Sequence, residues 1–236
     1  MAEAAAAHAS ASLQALLRKQ DRVRLLAATG ASQIEFLDRL TADHRIDWPR
    51  IELFHLDEYA GLGIEHPASF ARYIKERIID RTGIRWHHLL DGARDPSVVA
   101  AEMGREVAAA AIDLAFVGIG ENAHLAFNDP PADFEAEEPY LVVELDEACR
   151  AQQVGEGWFA SLEEVPKRAI SLSIPQLLQT REILCVVPDS RKARAVQAAM
   201  EGPLSPMTPA SILRVHPNTT IFLDAPAASL LRHSTE

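Results

Sequence analysis

This chain has almost no cysteine: Cys149 and Cys185 are the only two in 236 residues. They lie far apart with no CxxC spacing, which argues against a disulfide framework and for free thiols in a reducing compartment. An excess of basic charge is missing too. The net charge is −11, whereas a nucleic-acid binder needs a basic face for the phosphate backbone. A phosphorylated small molecule needs only a local positive pocket. No apolar run approaches the ~20 residues that span a bilayer. The Ala-rich start, Met1 to Ser12, has no Lys or Arg before it, no Leu-rich core, and Glu3 interrupts it. It fits the first turns of a helix better than a signal peptide. A cytoplasmic protein is therefore expected, with neither membrane nor nucleic acid as partner. Assembly into a homo-oligomer is compatible with the sequence and not specified by it.

Several chemical signatures are also missing. There is no HExxH, and His87-His88 are adjacent, as in a half-exposed strand, so no metal site is expected. No GxSxG elbow is present. Gly118-Ile119-Gly120 lacks the third glycine of a dinucleotide fingerprint and leads into Glu121 and Asn122. No repeat, low-complexity tract or interdomain linker breaks the chain.

What is present suits one large α/β domain over residues 1–236, with 48% hydrophobic and 24% charged residues. Strand-like and helix-like runs alternate, which predicts an open, mostly parallel, doubly wound sheet with helices on both faces. The chain is organised around residues 112–131. Ile112 to Val117 is a buried strand, Gly118 and Gly120 break it, and His124 and Asp129 follow in a loop that Pro130 and Pro131 stiffen. An earlier strand, Val23 to Ala28, ends at Thr29-Gly30-Ala31-Ser32 before a helical stretch from Ile34. This is either a phosphate cradle at a helix N-terminus or a plain capped turn. Ile51 to Leu56 runs into Asp57-Glu58-Tyr59, where one acid is a candidate base and the alternative is solvated turn or cap residues. His66-Pro67 is expected to start a helix, and Asp95-Pro96 another. Tyr140 to Leu145 is a further strand, and Ala169 to Ser173 is expected to return to the sheet. Between them, residues 146–167 are long and polar: a lid over a site, or a surface excursion pinned by Trp158. Ile183 to Pro188 is a buried strand, and Asp189-Ser190 cap a helix carrying Arg191, Lys192 and Arg194. Three basic residues at a helix start suggest a bound anion, or else a solvated face.

Parallel strands bring four of these features to one sheet edge: the Thr29–Ser32 turn, Asp57-Glu58, the His124 loop and Ser190-Arg191-Lys192. A phosphate cradle, a cation, a carboxylate base and a His-acid pair suit proton shuttling on a sugar phosphate.

With these residues in place, the chain resembles the glucosamine-6-phosphate deaminase (isomerising) family, which shares its fold with 6-phosphogluconolactonases. The resemblance runs from about Leu25 to Leu223. It is carried by Ala28-Thr29-Gly30, by Leu56-Asp57-Glu58-Tyr59 with Gly61-Leu62 and His66-Pro67, by Gly118-Ile119-Gly120 with His124-Leu125-Ala126-Phe127-Asn128, and by Lys192 with Glu201-Gly202. It implies conversion of glucosamine 6-phosphate to fructose 6-phosphate and ammonia, without cofactor or metal. Asp57 would carry a proton between C2 and C1, His124 would open the pyranose ring, and Asp129, where the family has Glu, would orient His124. Lys192 and the turn Thr29, Gly30, Ala31, Ser32 would hold the 6-phosphate, with Glu58, Gly118 and Gly120 beside the substrate. Asn122-Ala123 replace the family's Asp-Gly, Gly30-Ala31 replace its Gly-Gly, and Arg150 is the nearest match to its lid arginine. The alternatives are a 6-phosphogluconolactonase and a sugar-phosphate-binding protein without catalysis.

Overall fold

The computed structural model describes residues 1–232. Six parallel strands form the main sheet in the order β4-β2-β1-β5-β8-β9. They are β1 (Val23–Ala27), β2 (Ile51–His55), β4 (Trp86–His88), β5 (Leu114–Val117), β8 (Ile183–Val187) and β9 (Thr219–Leu223). The residues of β1, β5 and β8 are all buried. That is why they are continuous apolar runs rather than alternating ones.

Helices cover both faces. On one, α1 (Ala2–Leu17), α2 (Ile34–Thr41) and α3 (residues 70–82) pack through Leu13, Phe36, Leu40 and Ile74 against Leu25, Leu53 and Phe116. On the other, α4 (Pro96–Ala108) and a later helix, Ala193–Glu201, bring Val99, Val107, Val196 and Ala199 against Leu26, Phe54 and Val187. Asp95 caps α4 as its sequence predicts, accepting from the amides of Ser97 and Val98, with Pro96 in the first turn. α3 starts later than expected, at Phe70. Ser69 is its cap, because the Ser69 hydroxyl accepts from Arg72 N, whereas His66 Nδ1 accepts only from Ala68 N in the turn before it.

One expectation fails. Tyr140–Glu144 (β6) and Arg168–Leu172 (β7) do not join the main sheet. They form a separate three-stranded antiparallel sheet, β3-β7-β6, with β3 being Asp57–Tyr59. The polypeptide changes sheet at Leu56, whose amide donates to Ala27 O of the main sheet and whose carbonyl accepts from Leu172 N. Asp57 and Glu58 are thus strand residues with buried side chains, not solvated turn residues. Among the described residues no helix is long and apolar enough to cross a membrane.

The order of the main sheet places a topological switch between β1 and β5: the chain leaves β1 towards β2, and leaves β5 towards β8 on the other side. In open α/β sheets the loops beyond the carboxyl ends at such a point diverge and leave a crevice. Here those loops are Thr29–Ser32 and Gly118–Asp129.

Candidate active site

A cavity of about 70 Å³ lies at this switch point, lined by Thr29, Gly30, Ser32, Asp57, Gly118, Gly120, His124 and Lys192, among others. The four sequence-distant features expected at one edge therefore meet.

The His124 loop is tightly specified. Asn128 Nδ2 donates to Leu125 O and Leu172 O at 2.8 Å, and Phe127 N donates to Ser171 Oγ at 3.0 Å, which pins the loop on β7. Ala123 (φ 68°) and Ala126 (φ 51°) both take the left-handed conformation that L-residues with a Cβ disfavour. Ala123, where the resemblance implies a glycine, thus sits in a conformation that glycine adopts without strain. Gly120 is needed for space: a Cβ there would come within 2.3 Å of His124 Nε2. The imidazole lies directly over it.

His124 Nδ1 and Asp129 Oδ1 are 3.0 Å apart, with both side chains about nine-tenths buried. A carboxylate only accepts, so Nδ1 carries the proton and Nε2 is left for a substrate. Burial pushes the Asp129 carboxyl up, but His124, Asn122 and the Asp146 amide outweigh it and hold it below the usual carboxylate range. Asn122 Nδ2 donates both to Asp129 Oδ1 at 2.9 Å and to Asp146 Oδ2 at 3.1 Å, while Asn122 Oδ1 accepts from His124 N. Asp146 N in turn donates to Asp129 Oδ2. Asn122 therefore bridges two carboxylates. Where the resemblance leads to a carboxylate at position 122, this chain has one at Asp146, a residue that sequence reasoning did not single out.

Asp57 sits across the cavity at the start of β3. Burial, and after it the Glu58 carboxylate, pushes its carboxyl up to about 8, against the pull of the Thr29 hydroxyl. Asp57 Oδ1 has no hydrogen-bond partner in the protein. A buried, unpartnered carboxyl oxygen on a residue that lines a cavity is expensive to keep. Such a group suits proton exchange with a bound molecule near neutral pH.

Glu58 has a different position. Its carboxylate accepts from the amides of Tyr59, Phe70 and Ala71 and from the Ser69 hydroxyl, so it holds the N-terminus of α3 and does not line the cavity. Arg150 is also away from it, with its guanidinium on Leu162 O. Gly30 takes φ 94° and its carbonyl accepts from Tyr73 Oη, while Ala31 faces a neighbouring cavity rather than this one. Arg191 and Arg194 are exposed, with Arg191 on Asp189; only Lys192 of that group turns inward.

Residues 146–167 reach the cavity through α5 (Glu147–Gly155) and the turn after it: Gln152, Gln153 and Glu156 complete its wall. Phe159 packs edge-on against Tyr59, and Trp158 against Tyr73. None of the three wall residues carries a local sequence signal. Cys149, on α5, comes within 4.8 Å of the ligand atoms of His124 and Asp129. Burial, with Asp129 and Asp146 adding to it, pushes its thiol far up, so it is a neutral neighbour there.

The chain is also similar to known proteins. Residues 1–222 match the family model described as glucosamine-6-phosphate isomerases/6-phosphogluconolactonase. A glucosamine-6-phosphate deaminase of Exiguobacterium sp. strain AT1b is 37% identical over 210 residues, covering 89% of this chain and 81% of that protein. One from Lactobacillus delbrueckii subsp. bulgaricus is 33% identical, covering 87% and 86%. Among solved structures, a monomeric glucosamine-6-phosphate deaminase superposes with a TM-score of 0.89 at 29% identity, covering 97% of this chain and 95% of that one. The 6-phosphogluconolactonase of Thermotoga maritima, at 17% identity and a TM-score of 0.79 over 94% of each chain, shares the fold. With two thirds and more of each relative covered at these identities, this chain belongs to the family of glucosamine-6-phosphate isomerases and 6-phosphogluconolactonases.

Proposed function

We propose that the protein is an amino-sugar-phosphate deaminase/isomerase that converts glucosamine 6-phosphate and water to fructose 6-phosphate and ammonia. The observation that carries this reading is the buried Asp57 carboxyl, with Oδ1 unpartnered, on the wall of the same cavity as a His124 imidazole oriented by Asp129. Ring opening moves a proton from the anomeric hydroxyl to the ring oxygen, a task for His124 Nε2. In the open chain, Asp57 takes the proton from C2 and returns it to C1. Water then adds at C2 as ammonia leaves. Positioned proton-transfer groups of this kind each contribute about 10²–10⁴-fold.

Lys192 and the Thr29–Ser32 turn hold the phosphate in this reading. Asn122 and Asp146 keep Asp129 in place, and α5 with residues 156–159 acts as the lid. Two buried free cysteines fit action in the cytoplasm. Lactone hydrolysis leaves Asp57 without a task, because no C–H proton moves in it.

The test is to incubate the protein with glucosamine 6-phosphate and measure ammonia and fructose 6-phosphate, with 6-phosphogluconolactone in parallel. Formation of both products is expected. Lactone hydrolysis without deamination would overturn the reading, as would no turnover at high enzyme concentration.

A further inference from the structure

Lys192 meets a carboxylate inside the cavity. Its Nζ lies 3.6 Å from Glu156 Oε1, and the two side chains are only 5% and 6% exposed. Glu156 is held there by neighbours on its own segment: Oε1 accepts from Gln152 Nε2 at 2.8 Å, and Oε2 from Trp158 Nε1 at 3.3 Å. Lys192 is the only Lys or Arg among the described residues that line the cavity. The pair also forms a wall shared with the neighbouring cavity of about 340 Å³, which Ser32, Asp189 and Arg191 help to line.

A phosphate approaching Lys192 meets the Glu156 carboxylate a few ångströms away, and like charges that close repel strongly where water is scarce. Departure of the Glu156 side chain from Lys192 relieves that repulsion.

We propose that Glu156 is the specificity-determining residue of this site: its carboxylate competes with a substrate's phosphate for Lys192, and so narrows the preference for a phosphorylated amino sugar over the same sugar without phosphate. Gln at this position keeps the shape and the hydrogen bond from Trp158 and removes the competing charge. The proposal rests on the deaminase reading for the location of the phosphate.

The test combines kinetics with binding. Wild type, Glu156→Gln and Glu156→Asp are assayed with glucosamine 6-phosphate and with glucosamine, and inorganic phosphate binding is measured by calorimetry. For Glu156→Gln, we expect KM for the phosphorylated sugar to fall at least about tenfold and phosphate to bind at least about tenfold tighter. KM for glucosamine should move less than about twofold. Glu156→Asp, with the carboxylate drawn back, gives an intermediate shift and serves if the Gln variant does not fold. Unchanged phosphate binding and unchanged KM in a folded variant would overturn the proposal. Tighter phosphate binding without any turnover, in wild type or variant, supports it while removing the deaminase reading.

Discussion

The side-chain amide of Asn122 donates to Asp129 Oδ1 at 2.9 Å, and its second N–H goes to Asp146 Oδ2. An amide between two carboxylates keeps them apart and satisfied; a third carboxylate cannot. Asn122→Asp, although it resembles the family's pattern, is therefore expected to destabilise this protein by about 1–3 kcal/mol at pH 8. The penalty should shrink as pH falls and one of the acids takes a proton. It should also shrink when Asp146→Asn is added, since the two sites are coupled. Urea denaturation at pH 5.5 and 8 on the single and double variants checks both. Equal stability of Asn122→Asp and wild type at pH 8 would count against the bridge.

In the proposed reaction Asp57 can take a proton only after losing its own, and burial pushes its carboxyl up to about 8. The rate constant kcat/KM should therefore climb from pH 6, reach half its plateau near pH 8 and level off about one unit higher. Asp57→Asn should cost about 10²–10⁴-fold or more in activity. Its effect on stability runs the other way. A carboxyl raised from 3.8 keeps in the folded state a proton that the unfolded chain releases between about pH 4 and 8, so wild-type stability falls with rising pH across that window. Asn has no proton to lose. The variant should gain stability relative to wild type between about pH 4 and 8, visible as a rising difference in Tm.

His55 ends β2 with both ring nitrogens buried and unpartnered, and burial holds its imidazole down to about 3. Folding keeps it neutral where the unfolded chain binds a proton, below pH 6.5. The stability present above pH 6.5 is therefore lost as pH falls towards 3, by up to about 1.4 kcal/mol per pH unit. His55→Gln should flatten that acid limb, whatever its absolute stability. Parallel acid limbs in the two proteins would show that other groups govern it.

Gly120→Ala tests the position of the imidazole. The three atoms nearest the added methyl all belong to the His124 ring, so the ring gives way while the fold persists. Activity should drop at least about a hundredfold, the lower range of a displaced acid-base group, with Tm changed by only a few degrees. Gly92→Ala is the contrast. There the methyl would come within 2.2 Å of Tyr59 O and 2.4 Å of Leu62 O, so stability should suffer instead.

Chemistry confined to a short stretch of chain was open to reading from the residues alone. His124 and Asp129 sit five apart in a loop broken by glycines, and the loop's own hydrogen bonds bring them together. Buried parallel strands announce themselves as unbroken apolar runs, which placed the Thr29 turn, Asp57, His124 and Lys192 at one sheet edge. Glu58 beside Asp57 looked equally fit for chemistry. Only the packing of α3 against β3 shows that its carboxylate is taken up by the Phe70 and Ala71 amides. The second sheet was hidden too: nothing local tells β6 and β7 which strands to pair with, and pairing is settled by where Leu56 lets the chain cross over. The same holds for Asp146 and Glu156. Each lies in a polar stretch with no motif, and its partner is 24 or 36 positions away along the chain. Spacing reveals contacts within a loop or along one element; contacts that cross the core depend on how whole elements dock. The sequence by itself determined the parallel sheet and the His124–Asp129 pair. The tertiary structure alone decided that a carboxylate would face Lys192.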